Sequence, residues 1–242
     1  MARRYVQSSS QRHYSTSFNS LQSKTKATIS CWLKRAGAGN RISCGSYKDS
    51  QRAFAPTLWT DDNLYVICAR TDAQEFAYVA NSSTDWVHVL AAFDGAATGN
   101  SNRLKVWVNG VQQTLTFTAA GMPTQMSGTI EGWESGCRKA NEQYSDGDAT
   151  WQACWVDVAM GETEALALYG GDNPADIDPG AGTLVGNWRF SETSGNVADS
   201  SGNGWTLTAE NSPEDADDPS VGGGGGIVIP VFMHHYRQQG IA

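Results

Sequence analysis

The stretch RLKVWVNGVQQTLTF, residues 103–117, carries the strongest indication of how this chain folds. Apolar and polar residues alternate on both sides of Asn109-Gly110, and a period of two is typical of a half-buried β-strand. Asn and Gly both tolerate the positive φ that the tight turn of a β-hairpin requires. The stretch therefore predicts two antiparallel strands joined at Asn109-Gly110.

The same alternation recurs along most of the chain. In ATISCWLKR it places Ile29, Cys31 and Leu33 together on one face of a strand. Further strands are predicted in NLYVICAR, EFAYVA, WVHVLAAFDG and WQACWVDVAM. These many short strands predict an all-β chain that folds as an antiparallel β-sandwich.

One segment, GETEALALYGG (161–171), predicts a short helix instead of a strand. Leu166 and Leu168 are its apolar residues, and glycines close it. We therefore expect a single short helix, placed late in the chain.

The composition agrees with this fold and excludes two kinds of partner. Hydrophobic residues make up 40% of the 242 residues and charged residues 17%, with 26 Gly and 9 Trp, as in turn-rich globular chains rather than disordered ones. The formal net charge of -8 argues against nucleic acid as a partner. No run approaches the ~20 apolar residues of a membrane-spanning helix, so no membrane association is expected.

Charge is distributed unevenly along the chain. Residues 1–52 hold ten of the 17 Lys and Arg residues and one of the 25 Asp and Glu residues. Residues 192–220 contain only acidic charges. Either the two ends pair within one fold, or a charged face docks on an oppositely charged partner.

The cysteines and the N-terminus indicate where the chain is made. MARRYVQSSSQRHYS lacks the apolar stretch of a signal peptide. The five cysteines are odd in number, widely spaced and without a CxxC pair, so we expect buried free thiols and no zinc site. Synthesis in a reducing compartment, such as a host cytoplasm, follows from both observations.

Several motifs in a fixed order give the chain a family resemblance. TISCWLKR, DWVHVLAAFDG, LKVWVNGV, VDVAMGETEALALYGGDNPADI and LVGNWRFSETSGNVADSSGNGWTLT follow one another as in laminin-G-like, concanavalin A-like lectin and glucanase domains. The resemblance covers about residues 3–221 and implies a jelly-roll β-sandwich. Because that fold carries lectins, hydrolases and structural modules alike, function has to come from the residues.

Catalysis is not expected. Hydrolases of the superfamily that the chain resembles carry a strand motif E-x-D-x-x-E, which is absent here. The nearest acidic pairs are Glu131/Glu134 and Glu162/Glu164, and the second pair suits the first turn of the predicted helix. His88 is interpreted as a sheet residue, and His234 and His235 lie in the C-terminal segment. No base, nucleophile and orienting group occur together, so the chain is predicted not to be an enzyme.

Tryptophans near predicted loops are the candidates for glycan stacking, because sugars stack on exposed aromatic faces. The resemblance assigns Trp32, Trp86, Trp107 and Trp188 to core or sheet positions. The glycan candidates are Trp59, Trp133, Trp151 and Trp205.

Calcium is the one cofactor that the resemblance suggests. Asp199 and Asn203 in DSSGNG offer oxygen ligands, and Asp94 ends another strand. The preferred interpretation is a turn in which Asp and Asn cap their own backbone and Gly supplies positive φ. No cofactor is otherwise expected.

The C-terminal segment suggests a partner. Residues 1–221 are assigned to the sandwich, 222–226 to a glycine hinge and 227–242 to a docking peptide. The residues predicted to contact a partner are Ile227, Val228, Ile229, Val231, Phe232, Met233, Tyr236 and Arg237.

The function predicted from this organisation is a non-enzymatic virion structural protein. A phage capsid decoration protein or head-fibre component, forming homo-oligomers and binding other virion proteins, would use such a segment. The alternative is a lectin-like glycan-binding module for adhesion to a host surface.

Overall fold

The computed structural model describes residues 1–48, 51–69, 74–118, 121–137 and 143–221. The segment 222–226 and the predicted docking peptide therefore lie outside the described residues. The strands are β1 (Ala2–Tyr5), β2 (Arg12–Ser15), β3 (Lys26–Arg35), β4 (Ile42–Lys48), β5 (Gln51–Leu58), β6 (Asn63–Ala69), β7 (Gln74–Ala80), β8 (Val87–Asp94), β9 (Leu104–Val108), β10 (Val111–Gln112), β11 (Thr116–Phe117), β12 (Gly132–Ser135), β13 (Gly147–Val156), β14 (Thr183–Trp188), β15 (Thr208–Glu210) and β16 (Glu214–Ala216).

Helices are short and few in the described part of the chain. The predicted late helix is confirmed as α2 (Glu162–Tyr169). A one-turn helix, α1 (Asn100–Arg103), was not predicted, because four polar residues show no apolar period. Single 3₁₀ turns form at Gln7–Ser9 and Pro174–Asp176. None of these helices is long and apolar enough to cross a membrane.

The strands form two antiparallel sheets, which confirms the predicted all-β jelly-roll sandwich. Sheet 1 has the order β10-β9-β8-β3-β13-β1-β16, and β14 also pairs with β13. Sheet 2 has the order β11-β7-β6-β5-β4-β12-β2-β15. Strands from the two ends of the chain are neighbours in both sheets, so the fold closes through long-range pairing.

The predicted hairpin forms at the expected position. Val111 pairs with Val108 across the turn. Asn109 and Gly110 have φ of 50° and 78°, as a two-residue turn between twisted strands requires.

The core lies between the two sheets and follows the predicted alternation. Ile29, Cys31 and Leu33 of β3 all point into it. All five cysteines are free and buried, as expected. Trp133 and Trp188, with ring centroids 4.6 Å apart, close one part of this core.

A second apolar cluster covers the outer face of sheet 1. Leu168 and Ala165 of α2 pack there against Leu90, Trp107 and Trp155 of the sheet. No helix of the described residues belongs to a corresponding cluster on sheet 2. The outer face of sheet 2 therefore differs from that of sheet 1 in having no packed helix among the described residues.

The basic N-terminal part pairs with acidic residues of the same fold. The Arg3 guanidinium contacts the Asp215 carboxylate. Arg12 Nε lies 2.7 Å from Glu210 Oε2. Pairing of the two ends, one of the two interpretations of the charge distribution, therefore occurs at these arginines.

Candidate functional site

The acidic pair Glu131/Glu134 does not form two carboxylates facing a cleft. Glu134 is fully buried, and its Oε1 accepts a hydrogen bond from Arg12 Nη1 at 2.7 Å. Arg52 Nη1 lies 4.0 Å from Glu134 Oε2. Burial raises the pKa of Glu134, although the two guanidinium groups oppose this shift. Glu134 therefore belongs to a buried ionic cluster.

Glu162 and Glu164 lie in the first turn of α2, as the sequence indicated. Glu164 Oε2 accepts a hydrogen bond from the Gly161 backbone N–H at 2.8 Å. This contact satisfies a free amide at the helix N-terminus.

His88 is a sheet residue, in agreement with its interpretation. Its Nε2 lies 2.9 Å from Ser30 Oγ. Burial lowers the pKa of His88 to about 3, so the imidazole is neutral at physiological pH. His234 and His235 lie outside the described residues.

Asp199 holds its turn together. Its Oδ1 accepts from the backbone N–H groups of Asn187 at 3.0 Å and Ser201 at 2.9 Å. Its Oδ2 accepts from Ser201 Oγ at 2.8 Å and the Trp205 N–H at 3.0 Å. Asn203 donates its side-chain amide to the Leu184 carbonyl at 3.2 Å. Both carboxylate oxygens are thus occupied, which favours the turn interpretation over a calcium site.

Asp94 is likewise used within the fold. Its carboxylate accepts from the Ala96 N–H at 3.1 Å and pairs with Lys26 Nζ at 3.0 Å. Among the described residues, no group of three or more His, Cys, Asp and Glu side chains is arranged to hold a metal ion.

The assignment of Trp133 to a loop-borne glycan site is wrong. Trp133 is fully buried in β12, and its Nε1 donates to Gln152 Oε1 at 2.9 Å. A sugar cannot reach that ring. The short strand was hidden in the sequence because glycines and polar residues surround the tryptophan.

Trp205 also belongs mainly to the core. Its ring is partly buried and lies edge-on to Phe18, with centroids 5.7 Å apart. Its carbonyl accepts from Trp188 Nε1 at 2.6 Å. The residue closes the end of the sandwich.

Trp59 and Trp151 are partly exposed, and each ring has an arginine over it. The Arg41 guanidinium carbon lies 5.3 Å from the Trp59 ring centroid. The Arg189 carbon lies 4.8 Å from that of Trp151. Trp59 follows β5 in sheet 2, whereas Trp151 lies on a bulge of β13 in sheet 1. The structure therefore does not bring the four predicted tryptophans together.

Three aromatic residues that were not predicted as a site form a continuous surface on sheet 2. Tyr65 of β6 pairs directly with Tyr78 of β7, and their ring centroids are 5.3 Å apart. Phe76 lies on the same side, with its centroid 5.4 Å from that of Tyr65. All three rings are partly exposed. We call Tyr65, Phe76 and Tyr78 the aromatic face.

The register of the strands explains why these rings point outward. Leu64, Val66 and Ala77 alternate with them and point into the core. Because successive side chains of a strand point to opposite faces, the aromatic residues must lie on the outer face. The alternation within NLYVICAR and EFAYVA contains this signal, which involves tyrosine and phenylalanine and no tryptophan.

Hydroxyl groups and one carboxylate surround the aromatic face. The Tyr65 hydroxyl donates to Asp61 Oδ2 at 2.7 Å. Burial and this hydrogen bond raise the pKa of Tyr65 to about 12. The exposed Thr116 extends the row on one side, since it pairs with Tyr78, whereas Thr57, which pairs with Tyr65 on the other side, is buried. The surface thus offers partly exposed aromatic rings next to the Tyr65 and Thr116 hydroxyls and the exposed Asp61 carboxylate.

Comparisons with known proteins support the fold. No family model matches the chain, and no curated protein matches it in sequence. A Bacteroides ovatus protein, provisionally described as carbohydrate binding, aligns with a TM-score of 0.56 and 14% identity. The alignment covers 89% of this chain and 60% of that protein.

Two further solved structures align with lower scores. The CBM40 module of a Ruminococcus gnavus sialidase has a TM-score of 0.47 and 15% identity, over 70% of this chain and 98% of the module. A pentraxin of Limulus polyphemus has a TM-score of 0.43 and 12% identity, over 72% of this chain and 84% of its own. At these identities the similarity concerns the fold, a concanavalin A-like jelly-roll sandwich.

Proposed function

We propose that the chain is a glycan-binding module and that its ligand contacts the aromatic face of sheet 2. The observation that carries the proposal is the cluster of three partly exposed rings, Tyr65, Phe76 and Tyr78, on the sheet face that α2 does not cover. Exposed aromatic rings grouped on a rigid sheet are more than the scattered apolar residues that every protein surface carries.

The chemistry of this surface suits a sugar. The C–H faces of a pyranose ring are apolar and stack on aromatic rings, whereas its hydroxyls require hydrogen-bond partners. Asp61 Oδ1 and Oδ2 are acceptors at the rim, next to the Tyr65 hydroxyl. Because Asp61 carries negative charge, neutral or amino sugars are favoured over acidic ones.

The comparisons lend support of a weaker kind. The Bacteroides ovatus protein shares the fold over 89% of this chain, and its description refers to carbohydrate binding. This agreement raises glycan binding, the alternative of the two functions predicted from the sequence, above the virion role.

A glycan array probed with the full chain tests the proposal. We expect saturable binding to one class of neutral or amino glycans, lost in Tyr65→Ala and in Tyr78→Ala. Both side chains are partly exposed, so circular dichroism should remain that of the wild type.

Trp151→Ala is the matched control, since it removes a partly exposed aromatic ring from the other sheet. The control should bind like the wild type. Binding that survives both tyrosine changes but is lost in Trp151→Ala would move the site to the β13 bulge and refute the aromatic face. An array with no hit would refute glycan binding.

The virion structural role stays a proposal without support from the described residues. It depends on the segment 227–242, which lies outside them. The discriminating measurement is the location of the chain in a purified particle, where many copies over the shell would favour decoration and a few copies at a fibre would favour adhesion. The predicted absence of enzymatic activity also stays a prediction.

A further inference from the structure

Two large apolar side chains are exposed at one edge of sheet 1, on its two opposite faces. Val111 pairs directly with Val108, which packs on the core between the sheets, whereas Leu166 belongs to α2 on the outer face. Val111 is 64% exposed and Leu166 is 46% exposed. Within the described part of the chain, Met1 is the only other large hydrophobic residue in this class. Val111 follows Gly110, against which Leu166 packs so closely that a Cβ built on the glycine would lie 2.8 Å from Leu166 Cδ2.

Tyr169 lies beside Leu166 on the outer face. A Cβ at Gly110 would lie 3.4 Å from its Cδ1, and the ring is partly exposed. Val111 on one face and Leu166 and Tyr169 on the other flank this edge of the sheet, and we call the three residues the edge patch; an added extended segment, whose side chains alternate, would contact both faces. The edge patch adjoins β10, the last strand of sheet 1, and an unpaired strand edge beside exposed apolar groups favours addition of another extended segment.

The described chain ends close to the edge patch. Val221 packs against Gly171, because a Cβ built at Gly171 would lie 3.1 Å from Val221 Cβ. Leu166 lies three residues, or about 4.5 Å of helical rise, before the end of α2, and Gly171 lies two residues beyond that end. The five glycines of 222–226 can span up to about 17 Å, so residues 227–233 are within reach.

The sequence of 227–233 is complementary to such a surface. It reads IVIPVFM, without a charged or polar side chain. Its proline lacks an N–H, which is compatible with an edge position but not with a central strand. Burial of such large side chains is favourable by about 1.5–3 kcal/mol each when it is complete.

We propose that the edge patch is the docking surface for residues 227–233 of the same chain. A short linker gives an attached segment an effective concentration in the range of about mM, so the segment of the same chain outcompetes that of a second copy at ordinary protein concentrations. This proposal does not depend on glycan binding, since the aromatic face lies on the other sheet.

Cysteine cross-linking in the full chain tests the proposal. The variant Leu166→Cys/Phe232→Cys is oxidised with glutathione disulfide at low and high protein concentration. Leu166 is exposed, so the change should not disturb folding, and the five native cysteines are buried. We expect a disulfide within one chain, found by peptide mapping, with a yield independent of concentration. Thr208→Cys/Phe232→Cys is the matched control, because Thr208 is exposed on β15 of the other sheet, and it should give no such product.

Hydrogen exchange gives a readout that needs no new cysteine. In Phe232→Asp, amides of residues 107–113 should exchange several-fold faster than in the wild type, whereas those of β15 should be unchanged. A disulfide between two chains would assign the segment to a second copy and refute the proposal. Equal cross-linking in the control, or no cross-link together with unchanged exchange, would also refute it.

Discussion

At the residue scale, Glu134 and its partners form a buried ionic group within the described residues. The carboxylate lies between Arg12 and Arg52, and all three side chains are buried. A buried carboxylate is tolerated only when neighbouring positive charge offsets the loss of hydration. Arg12 is also held by Glu210 at the rim, so the cluster joins β2, β5, β12 and β15.

Removing the charge of Glu134 should be costly. We expect Glu134→Gln to lower the free energy of unfolding by about 3 kcal/mol, because two buried guanidinium groups lose their shared carboxylate. Glu210→Gln is the control, and it should cost about 1 kcal/mol or less because Glu210 is partly exposed. Urea denaturation of both variants measures the difference. Equal, small effects would mean that the cluster contributes little.

The buried histidines make stability depend on pH. Burial lowers the pKa of His88 to about 3 and that of His13 to about 4, whereas both groups titrate near 6.5 in the unfolded chain. The unfolded state therefore binds more protons below about pH 6.5. The stability that the two neutral histidines contribute is therefore fully present above about pH 6.5, and it is lost as the pH falls toward their pKa values in the folded state.

From pH 6.5 to 5, each histidine should reduce the free energy of unfolding by about 1.6 kcal/mol. His88→Gln should remove about half of this pH dependence, since His13 retains its share. Urea titrations at several pH values measure the slopes. A wild-type stability that does not change over this interval would contradict the assignment of two buried neutral imidazoles.

At the scale of elements, Gly110 in the β9–β10 turn meets two requirements: a positive φ for the turn itself, and space for a side chain of α2. Gly110 has a φ of 78°, and Leu166 of α2 packs directly on it. The sequence predicted the first property from the Asn-Gly pair. The second depends on where α2 lies, which no local pattern contains.

Alanine substitutions separate these two properties. Gly39 also has a φ of 78°, but a Cβ there would meet no atom within 4 Å. We expect Gly39→Ala to cost about 1 kcal/mol of unfolding free energy for the left-handed backbone alone. Gly110→Ala should cost roughly twice as much, because Leu166 must also move. Equal losses of unfolding free energy in the two variants, measured by thermal or urea unfolding, would show that Leu166 moves aside without a measurable cost.

The alternation of strands predicted much of the fold and little of the site. Ile29, Cys31 and Leu33 were placed on the core face correctly, because a period of two separates two faces. The same period cannot say which outer face a helix will cover. Tyr65 and Tyr78 alternate with core residues, but this alternation does not show that their face stays uncovered. Trp133 lies in a four-residue strand, Gly132–Ser135, that has no apolar alternation to indicate that the ring is buried.

At the scale of the whole molecule, the two outer sheet faces have different environments. α2 and the residues around it bury Trp107 and Trp155 on sheet 1. The corresponding face of sheet 2 leaves the rings of Tyr65, Phe76 and Tyr78 partly exposed. This asymmetry is why the proposed glycan site lies on sheet 2 and the proposed docking surface at the edge of sheet 1.

The most direct test of the glycan site is an NMR titration of the full chain with the strongest glycan from the array. The account predicts saturable chemical-shift changes concentrated at the amides of β6 and β7 and at Asp61, with the β13 bulge and the Asp199 turn unaffected. Shift changes centred on Trp59, Trp151 or the Asp199 turn, with β6 and β7 unchanged, would contradict it.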